Sequence, residues 1–148
     1  MAKKLTKKID LTSATLLGVD YGKTNIGLAL GRNGLTTPLE IIPAKNTENV
    51  LIKINRVVIE NKIDLIVLGL PLTSDEKDTP ESLDARRFIK LLKVNTKRPV
   101  EIQNEYGSSI KALEEAVELE VSEKKRKTND HLAAAYILRL YYSANGIE

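Results

Sequence analysis

The stretch that most limits what this chain can fold into is Leu16–Leu30, LLGVDYGKTNIGLAL, in which two apolar runs flank a short polar segment opened by Gly22. Short apolar and β-branched runs bounded by glycine fit strands better than helices, so the pair predicts an antiparallel hairpin turning through Lys23, Thr24 and Asn25. Burial of the first strand accounts for Leu16, Leu17 and Val19 but not for Asp20. A carboxylate at the end of a core strand is costly to desolvate, so it caps a neighbouring backbone or holds a cation.

Downstream, Gly31 to Gly34 reads as a turn and Leu35–Ile42 as a third strand stopped at Pro43. Val50, Leu51, Ile54, Val57 and Val58 then recur at helical spacing behind Asn46 or Thr47, either of which can serve as N-cap, and the helix ends near Asn61. The unbroken apolar run Ile63–Leu70, stopped by Pro71, suits a central strand covered on both faces. Thr73–Thr79 has no apolar period and reads as an exposed loop. A helix opening at Pro80 is expected to bury Leu83, Phe88, Leu91 and Leu92. Pro99–Asn104 gives a fifth strand, Ser108 or Ser109 caps a helix with Ile110, Leu113 and Val117 on one side, and a last helix runs from about Asp130 to Tyr142. Strands separated by helices should lie parallel to the first. The expected class is therefore α/β, a mixed five-stranded sheet with helices on both faces, spanning residues 14–145 behind a basic flexible tail over 1–13.

The 148 residues make one domain with room for a core. With no cysteine and one histidine, thiolate zinc sites are excluded and carboxylates are left as the plausible metal ligands. The basic amino-terminal residues lack the apolar core of a secretory signal, and no apolar run reaches the roughly eighteen residues of a membrane span, so no membrane partner and a cytoplasmic setting are expected. A formal charge of +3 and a pI near 9.0 lean toward a polyanionic partner, the cations gathering in the tail and in Lys124, Lys125, Arg126 and Lys127.

Ligands of such sheets collect at the carboxyl ends of parallel strands, where Asp20, Gly69-Leu70-Pro71 and Glu105 fall. GVDYGKT is not a phosphate loop, since three residues rather than four separate Gly18 from Gly22 and the β-like IGLAL follows where a helix is needed. The same string looks like the first phosphate motif of actin and Hsp70 ATPases, but nothing after Val67 repeats the Asp-X-Gly hairpin that a second half would need. Taken singly, Glu105 is explained as an exposed acid before a helix, Asp130 as an acid complementing a helix dipole, and His131 as a solvated residue at a helix start. Together with Asp20, the two acids sit at the ends of separate elements and can converge on one divalent cation.

GVDYGKTNIGLAL, LIVLGLPL, NEYGSSIKA and KKRKTNDHLAAAYIL together resemble the YqgF family, also called RuvX-like or Holliday junction resolvase-like proteins, in order and spacing over nearly the whole chain. The resemblance implies an RNase H-like fold and a nuclease that processes the 5′ end of precursor 16S ribosomal RNA, with a four-way DNA junction as another candidate substrate. It carries the family's metal-binding acids onto Asp20, Glu105 and Asp130, which would bind Mg²⁺ or Mn²⁺ as catalytic residues. Lys23 and Lys124, Lys125, Arg126 and Lys127 would neutralise phosphates, and Tyr106 would stack on an unpaired base. The chain departs from many relatives in having Asn104 and Tyr106 around Glu105 where they have Asp and Arg, and Asn25 in place of an arginine. With those cations missing, a nucleic-acid-binding module of weak or no activity is the alternative.

Overall fold

The computed structural model describes residues 9–70, 77–104 and 130–147. Five strands, β1 (Thr15–Tyr21), β2 (Asn25–Arg32), β3 (Leu35–Pro43), β4 (Leu65–Leu70) and β5 (Val100–Asn104), form one sheet in the order β3-β2-β1-β4-β5. The first three make the expected antiparallel meander, and β4 and β5 run parallel to β1. Helices α1 (Thr47–Glu60) and α2 (Pro80–Thr96) cover one face, and α3 (Asp130–Ala144) crosses the other. The helix expected from Ser108 or Ser109 lies outside the described residues.

Alternation along β1 divides the core in two. Leu17 and Val19 join Ile54, Val58, Phe88 and Leu92 beneath α1 and α2, whereas Leu16 joins Ala134, Ile137 and Leu138 beneath α3. β4 is buried at every position, as an apolar run covered on both sides must be. At the amino ends of β1 and β4, Thr15 N–H donates to the Asp64 carboxylate at 2.9 Å and Asp64 N–H to the Thr15 carbonyl at 2.8 Å, which gives Asp64 a structural role.

The α1 helix matches its expected core face, burying Val50, Leu51, Ile54, Val57 and Val58 behind an Asn46 cap whose side chain accepts from Asn49 N–H at 3.0 Å. For α2 the expected face needs correction: Phe88 and Leu92 are buried, but Leu83 and Leu91 are 48% and 43% exposed. Ser82, Ala85, Ile89 and Thr96 complete the buried side instead. Polar residues can sit there because their hydroxyls are used locally. Thr96 Oγ1 donates to the Leu92 carbonyl at 2.7 Å, and Ser82 closes a capping box in which Thr79 N–H donates to Ser82 Oγ and Ser82 N–H to Thr79 Oγ1. Thr79→Ala is expected to cost about 1 kcal/mol and to lower the Tm by about 2–4 °C in a thermal melt followed by circular dichroism.

Ahead of β1, Ile9 and Leu11 pack against the α3-side core and Asp10 closes a turn, accepting from Thr12 N–H at 3.0 Å, while residues 1–8 of the tail lie outside the described residues. Next to that core, burial pushes the Tyr141 hydroxyl up to about 12, aided by the Glu101 carboxylate on β5, to which it donates. A folded-state value above the ordinary tyrosine value means a contribution that is whole below about pH 10 and is lost as pH rises toward about 12. Unfolding midpoints measured across that window should fall, and Tyr141→Phe should flatten the fall.

On the outer edge, β3 pairs with β2 through a bulge: Leu28 faces Glu40 and Ala29 faces Pro38, which leaves Leu39 over.

Candidate functional site

β1, β4 and β5 are parallel, so their carboxyl ends share one edge of the sheet, and β2 begins at that same edge. Asp20 stands there, half-buried, near the end of β1. By strand alternation it shares the face of Leu16 and Gly18, the face α3 covers. Its neighbour Tyr21 turns to the other face and stacks on Phe88 of α2, ring centroids 4.5 Å apart. Burial and the nearby Asp84 carboxylate hold the Tyr21 hydroxyl above the ordinary tyrosine value.

The direction of α3 follows from what it touches. Tyr142 lies against Gly31, the partner of Leu16 at the amino end of β1, while Ala134 and Leu138 lie against Gly18. Toward its own amino terminus the helix therefore advances to the carboxyl end of β1. One turn beyond Ala134, about 6 Å at 1.5 Å per residue, its first residue is Asp130. The edge and face that carry Asp20 thus receive the backbone of Asp130.

Two glycines make this arrangement possible. A Cβ on Gly18 would stand 2.7 Å from the Ala134 carbonyl oxygen and 2.7 Å from Leu138 Cγ, so only glycine lets α3 lie this close to β1. A Cβ on Gly22 would stand 2.6 Å from the Asn25 carbonyl oxygen, which ties the tight β1–β2 turn to glycine. Beyond Gly22, Lys23 projects into solvent at the Asp20 edge, and Asn25, half-buried, opens β2. Asn104, also half-buried, closes β5. Glu105, Tyr106, Lys124, Lys125, Arg126 and Lys127 lie outside the described residues, as do the side chains of Asp130 and His131. Among the described residues no three His, Asp or Glu side chains gather closely enough to hold a metal ion. The importance of Gly18 escaped the sequence reading, although a glycine inside a strand pattern is the usual signal of a close backbone approach.

A family model described as RuvX, Holliday junction resolvase, matches residues 14–144. The chain belongs to the RuvX family. A relative from Mycoplasma mobile named "Putative pre-16S rRNA nuclease" is 34% identical over 127 residues, 82% of this chain and 87% of the relative. A relative of the same name from Chloroflexus aggregans is 33% identical, over 90% of this chain and 96% of its own. In three dimensions this RuvX chain is similar to Thermus thermophilus RuvC in complex with a Holliday junction substrate, with a TM-score of 0.57 at 16% identity over 90% of this chain and 96% of that one. The fowlpox virus Holliday junction resolvase gives 0.56 at 20% identity over 88% and 98%. At such identities the likeness establishes the fold, which is RNase H-like as the sequence resemblance implied. No helix among the described residues is long and apolar enough to cross a membrane.

Proposed function

We propose that this RuvX protein is a cytoplasmic endonuclease that hydrolyses phosphodiester bonds with a divalent cation, Mg²⁺ or Mn²⁺, and that precursor 16S rRNA is its substrate. The observation that carries the reading is the arrival of the α3 amino end, with Asp130, on the face and edge of the sheet that bear Asp20. The names of the relatives supply the substrate. A half-buried carboxylate at the exit of a core strand fits a hard cation, for which oxygen donors are the natural ligands. Asp20, Glu105 and Asp130 would hold it. In β5 Val100 packs toward α2 while Glu101 meets Tyr141 of α3. When bound, such an ion activates water for attack on phosphorus and stabilises charge on the leaving oxygen.

The chain's own residues supply the rest. Hydrolysis forms one P–O bond from water and breaks one ester P–O bond, and the departing oxygen leaves as a hydroxyl. Lys23, exposed at the turn beside Asp20, neutralises a phosphate without reading a base, and Lys124, Lys125, Arg126 and Lys127 extend that role ahead of Asp130. Tyr106, next to Glu105, offers a ring for an unpaired base. The purified protein is to be incubated with precursor 16S RNA and, separately, with a four-way DNA junction, each with and without Mn²⁺. Metal-dependent cleavage of the RNA is expected. Cleavage of the junction alone would transfer the activity to DNA, and binding without cleavage under any metal would leave a nucleic-acid-binding module in which Asn25 and Tyr106 mark the lost cations.

A further inference from the structure

Besides the tail and Lys124 to Lys127, the chain carries a third basic cluster that runs of charge in the sequence do not reveal. Residues 85–98 hold Arg86, Arg87, Lys90, Lys93, Lys97 and Arg98 and no acid, while the rest of the chain has seventeen Lys and Arg against twenty Asp and Glu. This acid-free stretch, most of it α2, is that third cluster. The six cations do not have equal roles. Arg86 is held by Asp78 at 2.8 Å, Arg87 pairs with Asp84, and Arg98 donates to the Ile63 carbonyl at 2.8 Å. Lys90, Lys93 and Lys97 are exposed and have no acidic partner among the described residues.

These three lysines form a row. Lys90 and Lys93 lie on one flank of α2, within about 60° of each other at 100° per residue, and Lys97 follows them as the left-handed C-cap, so the three extend over about 10 Å at 1.5 Å per residue. Phe88, which stacks on Tyr21, and Asp84, whose charge reaches that ring, mark the flank of α2 turned toward β1. The lysine row falls on the opposite flank, beside the β5 edge of the sheet. Because α2 begins on the side where β4 ends and returns toward the start of β5, the row leads away from the Asp20 edge down the outside of the domain.

We propose that Lys90, Lys93 and Lys97 are a phosphate-binding row along which a single nucleic-acid strand lies after leaving the candidate site. This rests on the reading of the chain as acting on nucleic acid. Unpaired ammonium groups repeated along one strip match a backbone with a charge at every nucleotide, and contacts of this kind hold a strand without reading its sequence. Exposed Leu83 and Val94 lie next to the row, where riboses and bases of an extended strand can rest against them.

The test uses the full chain with Lys90→Gln, Lys93→Gln and Lys97→Gln combined, and a second version with all three changed to arginine. All three positions are exposed, two on α2 and one at its C-cap, so a circular dichroism melt serves to show that each variant is folded. Binding of a fluorescein-labelled single-stranded RNA, long enough to reach from the Asp20 edge past Lys97, is measured by anisotropy over a salt series. Loss of three phosphate contacts should lower the slope of log K against log salt by about 2 and weaken binding about tenfold or more at low salt, while the arginine version keeps the parent slope. A glutamine variant with the parent slope and affinity overturns the row, whatever the cleavage assays show. Reduced slope in a protein that cleaves nothing supports the row and removes only the nuclease reading.

Discussion

Asp20→Asn should reduce RNA cleavage by several orders of magnitude while leaving the protein folded. The substitution keeps the size and shape of the side chain and removes its negative charge, which is what a hard divalent cation needs from a ligand. Asp20 is half-buried at the end of β1, so the change leaves the apolar packing of Leu17 and Val19 below it untouched, and the Tm should stay within a few degrees of the parent. The measurement is cleavage of precursor 16S RNA at saturating Mn²⁺, with a melt of the same sample. Activity retained within a few-fold would show that Asp20 is not a ligand and would remove the metal mechanism. Raising the Mn²⁺ concentration provides a further reading, since weakened ion binding is partly restored by excess metal whereas loss of an unrelated function is not.

The second large effect is expected from Gly18→Ala, far smaller in atoms and wholly structural in origin. One added methyl would have to share space with the Ala134 carbonyl and the Leu138 side chain, both at 2.7 Å. Leu138 can change rotamer, but the helix backbone can yield only by moving α3 off the sheet. Overpacking of this kind costs about 1–3 kcal/mol, which should appear as a Tm lower by about 2–10 °C. Because α3 carries Asp130 at its first residue, a displaced helix also moves that end away from Asp20. Cleavage by folded Gly18→Ala protein should therefore fall by more than the population unfolded, and unchanged stability would show that the close approach at Gly18 is not needed.

Much of this was legible in the amino-acid sequence because strand and helix periods are distinct when one face is clearly apolar. The β1–β2 hairpin, the five buried residues of α1 and the unbroken β4 run are all cases where a single pattern fits. α2 was harder because it carries apolar residues around much of its circumference. The buried side was settled by small residues and locally satisfied hydroxyls, Ala85, Ser82 and Thr96, which a count of leucines misses. The packing of Ile9 and Leu11 has no signature for a related reason: two apolar side chains in a short polar segment have no period long enough to notice. At the site, the position of Asp20 followed from its strand, but its relation to Asp130 depends on the direction in which α3 crosses β1, a tertiary fact with no local signature. The lysine row of α2 was hidden because its members are three and four residues apart, adjacent only once the chain is helical.

The irregular outer strand has a consequence for how copies of this molecule meet. An unpaired strand at a sheet margin is a template on which another chain can add, and among the described residues β3 presents such a margin with Leu35 and Leu39 exposed along it. Pro38 withholds an amide donor there, and the bulge at Leu39 breaks the regular ladder that an incoming strand would have to match. Continuous sheets running from one molecule into the next are thereby disfavoured on this side.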